Sequence, residues 1–272
     1  MKAYRVSGIA PFGSMRQKFS LDFAAENKTP DVLFWVGSAG SFDDRAKKIT
    51  RAFVKILNAT DVNFAVLGTE ESSTGDAAKR AGNEFLFQMQ ALMNIEILNG
   101  YNIKNIVTTC PHSYNTFKNE YPSLGGVYNV QHHTEFIVEL VNQRKLVISS
   151  DLNNIQVTYH DPCYLGRGNN VYDPPRELIK SLGFKLVEMP RNKRRSFCCG
   201  AGGAQMFKEP EKGTKDINIA RTEEALNTNP SIIVTACPFC NTMITDGVKN
   251  LDEGKAETKD IVELIADSLN VG

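Results

Sequence analysis

Ile106-Val107-Thr108-Thr109-Cys110-Pro111-His112-Ser113 returns 127 residues further on as Ile233-Val234-Thr235-Ala236-Cys237-Pro238-Phe239-Cys240. Arg51-Ala52-Phe53-Val54-Lys55-Ile56-Leu57 likewise has a counterpart in Arg176-Glu177-Leu178-Ile179-Lys180-Ser181-Leu182. The two offsets nearly agree, so the chain reads as two copies of one unit, and repeats outrank local motifs in deciding a fold. Within each copy short apolar runs alternate with helical spacing. Val32–Val36, Phe64–Leu67 and Asn105–Thr108 read as strands of the first copy, with helices over 45–57 and 78–98 between them. Gln156–Tyr159, Lys185–Glu188 and Ser231–Val234 read as strands of the second, with helices at 175–182 and about 215–227. Alternating strand and helix predicts an α/β fold: two tandem domains with mainly parallel sheets and helices on their faces. In the long 78–98 helix, Phe85, Met89, Leu92, Met93 and Ile97 are expected to face the core.

The polar stretch Asn142–Asn154 places the boundary near residue 150, giving repeats over 31–150 and 151–272. Residues 1–30 stand outside the repeat. Ala3–Val6 and Gln17–Phe23, separated by Pro11 and Gly13, suggest a hairpin extension there.

Composition narrows the function. Over 272 residues, 42% are apolar and 23% charged, as in an ordinary soluble domain. Lysine plus arginine (31) balances aspartate plus glutamate (31), which disfavours a nucleic-acid binder needing a sustained positive field. No apolar run approaches a membrane span and the N-terminus lacks a signal-peptide core, so the expected setting is cytoplasmic, any membrane association running through a partner. In that setting cysteines are metal ligands or redox groups before they are disulfides.

Cys163, Cys198, Cys199, Cys237 and Cys240 each lie where a strand of the second copy gives way to a loop. Strand C-termini of a parallel sheet share one edge, so these thiols are expected to converge at the cysteine site. Soft ligands at that density select zinc, copper(I) or an iron–sulfur cluster. Zinc usually takes four ligands and would leave the adjacent pair Cys198-Cys199 awkwardly placed. Gly200, Gly202 and Gly203 let backbone amides approach cluster sulfurs, which favours iron–sulfur.

His160-Asp161-Pro162-Cys163-Tyr164-Leu165-Gly166-Arg167, Cys198-Cys199-Gly200-Ala201-Gly202-Gly203 and Cys237-Pro238-Phe239-Cys240 together resemble the CCG, or cysteine-rich, domain. Heterodisulfide reductase carries this domain, as do the iron–sulfur subunits of glycolate oxidase, anaerobic glycerol-3-phosphate dehydrogenase and lactate-utilisation systems. The resemblance extends over residues 31–268. It implies a [4Fe–4S] centre, non-cubane in heterodisulfide reductase, held by Cys163, Cys198, Cys199, Cys237 and Cys240, and an electron-transfer or thiol/disulfide role within an oxidoreductase complex. By the repeat, the first copy's ligand positions are Ser38, Ser73, Cys110 and Ser113, three of them serine where the family carries cysteine. One cluster, in the second copy, is therefore expected, and heterodisulfide reduction by this chain alone is not.

His160, beside Asp161-Pro162-Cys163, is a candidate proton relay, its alternative being a structural hydrogen bond. His132 and His133 read as helix-entry or packing residues, and His112 as structural. Arg191, Lys193, Arg194 and Arg195 run into Phe197-Cys198 as a solvated loop or a docking rim; Tyr164 and Arg167 flank a ligand. No flavin, Gly-x-Gly-x-x-Gly or ferredoxin motif is present, so electrons are expected from a ferredoxin-like iron–sulfur subunit or a flavoprotein subunit. The competing readings are a catalytic disulfide- or quinone-linked reductase subunit and a zinc-stabilised structural module.

Overall fold

The computed structural model describes residues 30–148, 155–209 and 212–269; the expected N-terminal hairpin and the boundary near residue 150 fall outside them. The first half runs β1 (Val32–Trp35), α1 (Gly37–Phe42), α2 (Asp44–Ala59), β2 (Phe64–Ala65), α3 (Asp76–Arg80), α4 (Glu84–Gly100), β3 (Asn105–Thr108), α5 (Pro111–Asn115), β4 (Asn129–His132) and α6 (His133–Asn142). The second runs β5 (Gln156–Tyr159), α7 (Gly166–Asn169), α8 (Asp173–Ser181), β6 (Lys185–Leu186), α9 (Ile217–Leu226), β7 (Ile232–Thr235), α10 (Pro238–Asp252), β8 (Glu257–Asp260) and α11 (Ile261–Ser268).

Each half forms one four-stranded parallel sheet, in the orders β2-β1-β3-β4 and β6-β5-β7-β8. The registers correspond: Leu33 stands opposite Ile106 in the first sheet and Val157 opposite Ile232 in the second. This is the tandem α/β architecture the repeat predicts. β1 is buried along its whole length, as helix-covered parallel strands are. Both halves contribute to one continuous apolar core that runs from Phe34 and Phe53 to Leu178 and Ile265. Across the junction Arg45 forks onto the Glu263 carboxylate at 2.8 and 2.7 Å, and Lys55 Nζ donates to the carbonyl of Ala266.

Two features differ from the expectation. The 78–98 helix is two helices, α3 and α4, broken at Gly82, whose φ of +88° suits glycine. And the face of α4 expected in the core is outside: Phe85 is 76% exposed, Met89 45%, Leu92 50% and Met93 54%. The buried face is Phe87, Ala91, Asn94, Ile95 and Leu98. The helix is apolar nearly all round, so periodicity offers two stripes, and the true one carries a polar residue. Asn94 is satisfied there by donating to the carbonyl of Ser73 at 2.9 Å and to Tyr121 Oη at 3.1 Å. No helix among the described residues is long and apolar enough to cross a membrane.

Candidate metal centre

Three loops at the C-terminal edge of the second sheet bring the five cysteines together. Cys163 lies in the loop after β5, Cys198-Cys199 precede Gly200, and Cys237 and Cys240 sit at the start of α10. Side-chain hydrogen bonds link them in one chain: Cys163 with Cys198, Cys198 with Cys199, Cys199 with Cys240, and Cys240 with Cys237. All are free thiols; Cys163 and Cys198 are half-buried and the other three are buried.

The protons distribute in alternation. The Cys198 thiol is driven far down because Cys163 and Cys199 both donate to it. Cys163 and Cys199 are pushed up, first by their hydrogen bonds to Cys198. Cys240 is pushed up by its bonds to Cys199 and Cys237. Burial opposes ionisation of Cys237, yet the bond from Cys240 and the charge of His112 lower its pKa. Five soft donors in mutual contact, with two already inclined to thiolate, suit a thiophilic metal group, whose positive charge would displace the remaining protons.

The shell around them is built from buried polar contacts. Asp161, the residue before Pro162-Cys163, accepts from Arg176 Nη1 and Nη2 at 2.8 and 2.9 Å and from the Lys193 backbone N–H at 2.7 Å. Ser196 Oγ donates to the Asp161 carbonyl at 2.9 Å, and Arg167 Nη1 donates to the Ser196 carbonyl at 2.8 Å. The Cys163 loop thus holds the Cys198 loop. Gly200, at φ +94°, donates its N–H to Cys198 Sγ at 3.3 Å, and a Cβ there would meet Ile217 at 3.3 Å. At Gly202 a Cβ would make only ordinary contact with His112 and Tyr164.

His160 is buried, and Arg221 Nε donates to its Nδ1 at 3.0 Å. Arginine is always the donor, so the neutral ring carries its proton on Nε2. One ring nitrogen of His160 and the sulfurs of Cys199 and Cys240 lie within 4.8 Å of one another, and Nε2 has no hydrogen-bond partner among the described residues. Burial, followed by the charge of Arg221, pushes its pKa down to about 3. The proton-relay expectation therefore meets a neutral imidazole fixed by a buried guanidinium, suited to donate a hydrogen bond to sulfur.

In the first half, Ser38, Ser73, Cys110 and Ser113 line one cavity of about 160 Å³, together with Ser72, Asp76 and His112. Pro238, Phe239 and Phe207 of the second half close it. The Cys110 thiol is pushed up to about 12, chiefly by burial and then by Cys237. His112 lies at the junction of the halves. Its Nδ1 is 2.9 Å from Asp76 Oδ2, and its ring packs against Tyr164 at 4.4 Å and Phe239 at 5.5 Å between centroids. Burial works against its charge, but Asp76 and the Cys237 and Cys198 thiolates hold its pKa above the ordinary value. His132 and His133 are fully buried, at the end of β4 and the start of α6.

Sequence reasoning missed Asp76, Arg176 and Arg221. Their only signal is a charged residue whose partner is distant in sequence. Ser72 had a readable one, since it stands before Ser73 as Cys198 stands before Cys199.

The cysteine-rich domain model matches residues 32–118 and 157–245. The chain belongs to the cysteine-rich domain family, with one copy of the domain in each half. It is 50% identical over 246 residues to the probable iron–sulfur-binding oxidoreductase FadF of Bacillus subtilis, covering 90% of this chain and 35% of that protein. It is 45% identical over 247 residues to the EtfAB:quinone oxidoreductase of Syntrophomonas wolfei, covering 88% and 34%. To a subunit of the dihydromethanophenazine:CoB–CoM heterodisulfide reductase of Methanosarcina barkeri it is 32% identical over 261 residues, covering 92% and 61%. The chain spans about a third of the length of the first two relatives.

Proposed function

We propose that this chain is an iron–sulfur electron-transfer unit of an oxidoreductase complex, carrying one [4Fe–4S] centre in its second half. The observation that carries the reading is the unbroken chain of five hydrogen-bonded thiols from Cys163 to Cys237. Cys163, Cys198, Cys199, Cys237 and Cys240 would hold the cluster, which when bound supplies single-electron storage. The Gly200 N–H, already on Cys198 Sγ, and His160 Nε2–H would hydrogen-bond sulfur and so tune the potential. Arg221 fixes the His160 tautomer, and Asp161 holds two ligand loops in register. The first half, with serine at three of four equivalent positions, serves as a scaffold that walls the site through His112 and Cys110. Electrons would pass to or from a ferredoxin-like or flavoprotein partner. The names of the relatives, an EtfAB:quinone oxidoreductase among them, favour that role over a zinc module.

Iron, sulfide and zinc analysis of protein purified without oxygen tests the reading. About four irons and four sulfides per chain are expected, and Cys198→Ala should lose them. About eight would mean that the first half also holds a cluster. Stoichiometric zinc without sulfide would leave the structural module.

A further inference from the structure

The thiols differ in their access to solvent. Cys199, Cys237 and Cys240 are buried, whereas Cys163 and Cys198 are half-buried. Electron exchange with another molecule is fastest where the redox group comes nearest the surface, so that edge is the natural exit. The charge around it is one-sided. Arg167, four residues after Cys163, is exposed and reaches the Ser196 carbonyl, two residues before Cys198. Lys193–Arg195 form the exposed turn that leads into Ser196.

Most basic residues nearby are neutralised. Arg176 is held by Asp161 and Glu188, and Arg191 by Glu224 while it covers the Phe197 ring at 4.0 Å. Lys193 has only a loose contact with Asp173, at 3.9 Å. Arg167, Arg194 and Arg195 have no ion-pair partner among the described residues. In a chain of zero formal net charge, this is a local excess at one place. The three arginines come from two separate turns and stand outside the cavity lined by Ser38, Cys110 and Phe239. They present a surface to a large partner rather than a pocket to a small anion.

We propose that Arg167, Arg194 and Arg195 frame the electron exit at Cys163 and Cys198 and dock the acidic face of a redox protein there. This rests on the electron-transfer reading above and names the partner's chemistry. Complementary charge would speed encounter and orient the partner's redox group toward the two accessible ligands.

The probe is an acidic plant-type [2Fe–2S] ferredoxin, tested against anaerobically purified protein of measured iron content. The first readout is binding of oxidised ferredoxin by surface plasmon resonance. Its affinity should fall about tenfold or more between roughly 20 and 300 mM salt. Arg194→Glu with Arg195→Glu should remove both the low-salt affinity and the salt dependence. The second readout is the rate at which reduced ferredoxin reduces the protein, which should fall in the same way. Reduction by the cationic methyl viologen radical should not be slowed by the double variant. Salt-independent binding, or a variant that binds like wild type at equal iron content, would overturn the proposal. Arginine-dependent capture by phosphatidylglycerol vesicles without ferredoxin binding would overturn it too, reassigning the patch to a lipid surface. Protein without iron and sulfide would defeat the electron-transfer reading, while the binding measurement would still judge the surface.

Discussion

Asp161 Oδ2 accepts a hydrogen bond from the Lys193 backbone N–H at 2.7 Å, so the loop that carries Cys163 sets the position of the loop that carries Cys198. The same carboxylate is gripped by both terminal nitrogens of Arg176, in a bidentate geometry that fixes direction as well as distance. Asp161 is buried, and removing one member of a buried pair leaves the other charge uncompensated. Asp161→Ala should therefore destabilise the protein by about 3–5 kcal/mol. Denaturant titration checks the stability, and iron content of the surviving folded fraction checks the spacing of the loops.

Gly200 and Gly202 lie in the same loop but face different constraints. Gly200 combines φ +94° with a Cβ position 3.3 Å from Ile217, whereas Gly202 has ordinary contacts at 3.6 Å or beyond. Gly200→Ala should cost about 1–3 kcal/mol through backbone strain and weaken the N–H bond to Cys198. Gly202→Ala should melt within a degree or two of wild type. Paired thermal scans and iron analyses distinguish the two; equal losses would show that loop geometry is not set at Gly200.

The outward face of α4 gives a sharp contrast. Phe85 and Met89 are exposed, and Phe87, two residues from each, is 1% exposed. Phe85→Ser with Met89→Gln should leave stability within about 0.5 kcal/mol, and Phe87→Ala should cost about 3–5 kcal/mol. Chemical denaturation of both variants measures the difference.

That helix also shows where the sequence stops being legible. Tandem α/β organisation follows from the repeated Ile106–Ser113 and Ile233–Cys240 segments, because copied segments impose copied strand orders. The cysteines are legible because few residue types do what thiols do. The buried stripe of α4 is not, since choosing it requires Asn94 to be inside, and only the folded contacts with Ser73 and Tyr121 make that favourable. β8, Glu-Thr-Lys-Asp, is an edge strand too polar to announce itself. Arg221 and His160 are 61 residues apart, and their bond exists only after α9 packs against the loop following β5.

Stability should also respond to pH through Glu71, whose carboxylate accepts from the Val36 and Gly37 N–H groups at 3.0 and 2.6 Å. Burial raises its pKa from 4.5 to about 7 in spite of those bonds. Between these values the folded state binds more protons than the unfolded, so this group's contribution is full below about pH 4.5 and is lost as pH rises to about 7. The side chain is half-buried, and solvent screening reduces the effect to about 1–2 kcal/mol. Glu71→Gln should flatten this segment of the stability–pH curve, as measured by denaturant titration at several pH values. A curve unchanged by the substitution would exclude Glu71 as its source.

The serine site of the first half offers a constructive test. Ser38, Ser72, Ser73, Cys110 and Ser113 line one cavity and stand in the repeat where Cys163, Cys198, Cys199, Cys237 and Cys240 stand. A serine hydroxyl is far less acidic than a thiol and gives up its proton to iron far less readily. If ligand identity alone separates the halves, Ser38→Cys, Ser72→Cys, Ser73→Cys and Ser113→Cys together should raise iron and sulfide from about four to about eight per chain. The frame has one visible competitor, because Ser72 Oγ donates to Asn94 Oδ1 at 2.9 Å, a bond a thiol makes weakly. Some loss of stability is therefore expected, and metal analysis with electron paramagnetic resonance of the reduced protein should report two centres in place of one. Iron unchanged at about four in a folded quadruple variant would mean that the surrounding shell, His112 and Asp76 included, now shapes the cavity for something other than a cluster.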